Sequence, residues 1–176
     1  MKTLLTGSCL FLSVLLYAQT FPDDWYGSWR GDLAIWRAGQ QVDTVPMEFE
    51  LSLADTGGIN YIIRYLPEGR PVDERSYLLQ SVDSTAGHYV IDERNGILLD
   101  EYLVDNCLYS RFDVMGSDLL ARICYTAQDT LEYEITGGPV GPIRESGATT
   151  VGSDTIPPVR AYRIGSVTKA KLYREE

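Results

Sequence analysis

Six tyrosines, Tyr61, Tyr65, Tyr77, Tyr89, Tyr125 and Tyr133, are the side chains best suited to hold a ligand, because each shares a side of its stretch with aliphatic neighbours. A buried phenol must place its hydroxyl on a partner or on water, so several together point to a partly polar interior, as in a ligand cavity. The competing reading is that tyrosine is a favoured strand residue whose hydroxyl reaches the rim. His88 is the only histidine. It opens a strand on the face opposite Tyr89 and Ile91, which predicts an outer position and leaves a catalytic base or haem ligand without a matched partner. Asp92, Glu93, Asp100 and Glu101 flank one hairpin, and their spacing specifies no calcium loop, so they read as a solvated tip. No Gly-x-Ser-x-Gly elbow, His-Glu-x-x-His pair or phosphate-cradling glycine loop occurs, and nucleophile schemes lack a second histidine. No cofactor and no metal are implied. An enzyme is the least favoured reading.

Cys107 and Cys124 lie on consecutive predicted strands joined near Val114 to Ser117. A two-residue turn at Met115 and Gly116 sets the two cysteines directly opposite each other. The same register pairs Leu108 with Ile123 and Phe112 with Leu119, so one face becomes apolar and the cysteines share the other. A disulfide is predicted, worth about 3 kcal/mol on the chain-entropy model. A metal or redox pair is the alternative, but no third soft ligand lies nearby.

These residues need strands to position them, and the strand that orients the rest spans residues 25–36. Gly27, Trp29, Gly31, Leu33 and Ile35 alternate with Ser28, Arg30, Asp32 and Ala34, the pattern of a half-buried strand. Residues 21–25 form a short capped turn before it. A plug followed by Gly27-Ser28-Trp29 resembles the start of the lipocalin-like (calycin) β-barrels, in which the tryptophan closes the barrel floor. The resemblance covers the first strand and the strand count. It implies that a basic side chain from the last strand packs over Trp29, with Arg160, Arg163, Lys169, Lys171 and Arg174 as candidates. Nitrobindin-like barrels also begin Gly-x-Trp-Arg-Gly, but their haem-binding histidine lies near the C-terminus, where this chain has none.

Residues 1–18 carry one lysine, an apolar run and Tyr17-Ala18, the layout of a secretory signal peptide. The run is too short to span a bilayer. Cleavage after Ala18 leaves residues 19–176 as one lipocalin-like β-barrel domain, secreted or periplasmic, with 14 basic against 25 acidic residues and a net charge of −11. Nucleic acid and anionic membrane are poor partners for such a surface. A cationic protein partner is compatible with it, as is plain solubility.

Period-two alternation continues through residues 45–54 and returns through 59–65, where a three-residue loop centred on Gly57 pairs Leu53 with Tyr61 and Phe49 with Tyr65. Strands follow over 75–82 and 87–92, and the Asn95-Gly96 dipeptide turns the latter into 97–104. Residues 107–114, 118–126 and 130–136 complete nine strands, the last two joined by a turn at Gln128 and Asp129. Residues 137–158 break the pattern with glycine, proline, serine and threonine, reading as an irregular lid or binding loop. The final stretch, 159–174, carries one more strand that Gly165 bulges or splits.

About ten short strands in sequence-adjacent hairpins, each apolar on one face, imply an all-β antiparallel up-and-down barrel of 8–10 strands; a β-sandwich is the alternative. The first function implied is non-catalytic capture of a small, mostly apolar molecule in the interior, lined by Trp29 and the six tyrosines. The second is a protein-interaction or inhibitor module acting through the acidic surface or the 137–158 loop.

Overall fold

A computed structural model describes residues 20–126 and 129–176. The leader at 1–18 and Gln128 of the predicted turn lie outside the described residues. After a short 3-10 turn at Asp23–Trp25 come β1 (Gly27–Arg37), β2 (Gln40–Leu53), β3 (Ile59–Tyr65), β4 (Asp73–Asp83) and β5 (His88–Asp92). Then follow β6 (Leu98–Val104), β7 (Cys107–Val114), β8 (Ser117–Thr126) and β9 (Thr130–Pro139). Four short strands, β10 (Pro142–Ser146), β11 (Thr149–Val151), β12 (Asp154–Ile156) and β13 (Val159–Tyr162), precede the last, β14 (Ser166–Arg174).

Ten strands close a barrel in the order β1, β14, β9, β8, β7, β6, β5, β4, β3, β2, every neighbouring pair antiparallel. Closure is physically favoured because each strand has one apolar side to bury and an open sheet would leave two unpaired edges. Trp29, Phe49, Leu51, Leu79, Leu108, Leu131 and Leu172 meet in the interior, fully buried. The middle of the barrel is therefore packed with side chains.

β1 runs from a plugged end, where Trp25 and Trp29 sit, towards an open end. Gly31 lets β14 come close, since a Cβ there would lie 2.2 Å from the Lys171 carbonyl oxygen. Met115 and Gly116 form the two-residue turn with φ of 49° and 79°, and Cys107 stands opposite Cys124, bridged by a disulfide. The closed ring sets aside the sandwich alternative.

Two expectations are corrected. The β2–β3 loop is centred on Thr56, not Gly57, so Leu53 pairs with Ile59, Leu51 with Tyr61 and Phe49 with Ile63. Ala54 and Gly58 close that loop, and the positive φ needed falls on the two consecutive glycines, Gly57 and Gly58. A slip of two residues preserves every side chain's face, which is why the apolar pattern alone did not reveal it. The segment 137–158 is not irregular: residues 137–139 continue β9, and beyond them β10 pairs with β13 and β11 with β12 in a ribbon standing off the open rim. Its strands bury no face, so no apolar period marks them in the sequence.

Candidate functional site

The plugged end is built by the chain termini. Trp29 donates its indole N–H to the Trp25 carbonyl at 3.0 Å, and Tyr125 packs edge-on to Trp29 and stacks on Trp25. Of the five basic candidates it is Arg174 that lies over Trp29, its Cζ 3.9 Å from the ring centroid. Its guanidinium also donates to the Tyr26 carbonyl at 2.6 Å, the Asp24 carbonyl at 2.8 Å and Asp129 Oδ1 at 3.0 Å. One planar fork thus ties the last strand to the plug and to the β8–β9 turn. Phe21 closes the remaining gap, edge-on to both Trp25 and Tyr89. Trp29, Tyr89 and Tyr125 are therefore grouped at the floor.

Of the other four predicted tyrosines, Tyr61 and Tyr133 belong to the packed core, and Tyr65 and Tyr77 pack against it half-buried. Tyr61 lies edge-on to Phe49 at 4.8 Å and beside Tyr77 at 6.4 Å. The Tyr65 and Tyr133 hydroxyls share a hydrogen bond of 3.3 Å across the barrel. Arg75, the ladder partner of Ile63, faces the same space from β4, its guanidinium 5.3 Å from the Tyr65 ring and donating to Asp73 at 3.1 Å. Beside this rim opens a cleft of ≈ 340 Å³ lined by Glu74, Arg75, Ser76, Tyr77, Glu93 and Asn95.

Glu101 is a third departure from what the sequence predicts. Rather than forming part of a solvated tip, it is 7% exposed, set between Tyr89 on β5 and Ser110 on β7. Parity was the signal: Leu99, Glu101 and Leu103 share one face of β6, and Leu99 and Leu103 pack on the core. That signal was masked because the opposite face, Leu98, Tyr102 and Val104, is just as apolar. Those three are exposed instead.

Burial pushes the Glu101 carboxyl up to about 8, against a smaller downward pull from Ser110. It therefore carries its proton at neutral pH. The Ser110 hydroxyl spends its own proton on the Asp100 carbonyl at 2.8 Å, which leaves its oxygen free to accept from a protonated Glu101. Burial also raises Tyr61 and Tyr133 well above the usual phenol range, with neighbouring tyrosines adding to both and Glu101 adding to Tyr61. Burial opposes the charge of Arg75, but Asp73, Tyr65 and Tyr77 outweigh it and hold the guanidinium above its ordinary value. The upper interior thus offers uncharged donors and acceptors below one cation at the rim. This arrangement can orient the polar groups of a mostly apolar molecule.

His88 occupies the predicted outer position, stacked on Tyr102 with centroids 4.9 Å apart and 2.7 Å from Asp100. Among the described residues no group of three or more histidines, cysteines or carboxylates is placed to hold a metal ion, and no helix is long and apolar enough to cross a membrane.

The fold and site define a closed, ten-stranded antiparallel β-barrel with a tryptophan–arginine floor, in agreement with the calycin-like architecture that the first-strand motif implies. No protein-family model matches the chain, and no curated protein matches it. Among solved structures it is similar to a DUF3598-family protein of unknown function from Nostoc punctiforme, with a TM-score of 0.57 and 12% identity. The likeness covers 87% of this chain and 48% of that one, so this chain spans about half the length of that structure. At such identity the likeness shows the fold alone.

Proposed function

We propose that this chain is an exported, non-catalytic barrel that captures a small, mostly apolar molecule at its open end. The observation that carries the reading is the convergence of Tyr61, Tyr65, Tyr77 and Tyr133 in an otherwise apolar barrel, with Arg75 at its rim. Such groups are costly to bury, and a packed core needs none of them. The fully buried middle directs the ligand to the upper interior and the rim cleft, while Trp29, Tyr89 and Tyr125 support the floor. The leader at 1–18 would deliver the chain to a secreted or periplasmic compartment, and the Cys107–Cys124 disulfide is consistent with an oxidising one.

The test is native mass spectrometry of the protein recovered from its export compartment, joined to fluorescence titration with 1-anilinonaphthalene-8-sulfonate, an apolar probe with one anionic group. The expected result is a bound small molecule and a probe affinity that falls at least about tenfold, or about 1.4 kcal/mol, in Arg75→Ala and Tyr65→Ala. No bound mass together with probe affinity unchanged in both variants would overturn the reading.

A further inference from the structure

The ribbon over residues 140–165 is anomalous as free structure. An isolated two-stranded ribbon is marginal in water, yet every residue from 142 to 165 is exposed. Val140, Ile143, Val151, Val159, Tyr162 and Ile164 each stand 51% to 65% exposed along it. Apolar surface concentrated on a projecting element marks a contact that forms elsewhere. Charge indicates its character. Arg144, Arg160 and Arg163 outnumber Glu145 and Asp154 in this arm, whereas the rest of the chain has twelve basic against twenty-three acidic residues. With Arg160 paired to Glu145 at 2.8 Å, the arm keeps a net positive charge in an acidic protein, and it fits an acidic, partly apolar surface.

The barrel carries such a surface on its opposite wall. Leu98, Tyr102 and Val104 share the outer face of β6 with Asp100, exposed by 63%, 49% and 60%. His88 stacks on Tyr102 and bonds Asp100, so this stripe is held in place before any contact forms. β5, at its centre, lies five strands from β14 in either direction around the ring of ten. The arm roots on β9 and β14, so it rises from the side its own stripe faces away from. A neighbouring copy is therefore needed to bring arm and stripe together.

We propose that the arm of one chain docks on the β4–β6 wall of a second copy. The apolar arm residues cover Leu98, Tyr102 and Val104, and Arg144 and Arg163 meet Asp100 and Asp92. At physiological ionic strength the screening length is about 8 Å, so the charges at the contact outweigh the mutual repulsion of two acidic barrels. Arm and wall are different surfaces on opposite sides, so the contact is heterologous and continues from copy to copy rather than ending at a two-fold dimer. This inference does not depend on the ligand reading.

Sedimentation velocity tests it with three forms of the oxidised protein: wild type, the arm variant Ile143→Asp/Val159→Asp, and the wall variant Leu98→Asp/Val104→Asp. All four positions are exposed, and matching near-ultraviolet circular dichroism verifies that each variant keeps the barrel. Wild type is expected to self-associate below about 200 µM, and each variant alone to associate at least about tenfold more weakly. The two variants mixed are expected to form a one-to-one heterodimer, since one intact arm and one intact wall remain. A wild type that stays monomeric, variants that associate like wild type, or a mixture that fails to pair would each overturn the proposal.

Discussion

Replacing Glu101 by glutamine should remove a penalty that the folded protein carries at alkaline pH. The carboxyl is displaced by burial from 4.5 to about 8 in the folded barrel, and in the unfolded chain it ionises near its ordinary value. Between those two values the unfolded chain has released a proton that the folded chain still holds, so unfolding is favoured by about 1.4 kcal/mol more with each pH unit. The group's contribution is intact below about pH 4.5, declines through the window up to about pH 8 and is level above it, a total of about 5 kcal/mol. This sign is opposite to that of Asp118 and Asp129, which Arg111 and Arg174 hold below the usual carboxylate range and which lose their contribution on acidification. Glutamine has nearly the shape of a protonated glutamate and can donate to Ser110 as the acid does. Near pH 5 the variant should match wild type within about 1 kcal/mol, whereas at pH 9 it should be several kcal/mol more stable, which for a chain of this size raises Tm by about 10 °C. Urea unfolding followed by tryptophan fluorescence at pH steps from 5 to 9 measures the difference directly. Parallel stability profiles for the two proteins would refute the interior, neutral Glu101.

Arg174→Ala removes the cation over Trp29 and leaves the Tyr26 and Asp24 carbonyls without their donor, and should cost about 3 kcal/mol in urea unfolding. Arg174→Lys keeps the charge but not the fork and should recover less than half of that loss; full recovery would mean that charge alone seals the floor. Gly31→Ala forces a Cβ to within 2.2 Å of the Lys171 carbonyl and should part β1 from β14, which hydrogen exchange of the β14 amides would register as lost protection.

Much of the barrel was legible in the residues themselves, and for local reasons. Strand faces follow from period-two alternation, and the Cys107 to Cys124 register follows from a two-residue turn whose length leaves one pairing open. The β2–β3 register was less secure, because a slip of two residues leaves every face unchanged and only the glycine dihedrals of the actual loop separate the alternatives.

What the sequence determined by itself is the number of barrel strands, about ten, the side of each that carries the tyrosines, and the place of Trp29 at the start of the first. These are set by neighbours a few residues apart. Tertiary structure alone decided the rest. It divided the six tyrosines between the floor and the interior above it, and it selected Arg174 from five basic residues by the geometry of one guanidinium. On β6, with apolar residues on both faces, it turned Glu101 inward, because closure of the ring allows only one face of each strand to be inside. It also built the arm, whose strands are held by pairing with each other and bury no face that a sequence pattern could record.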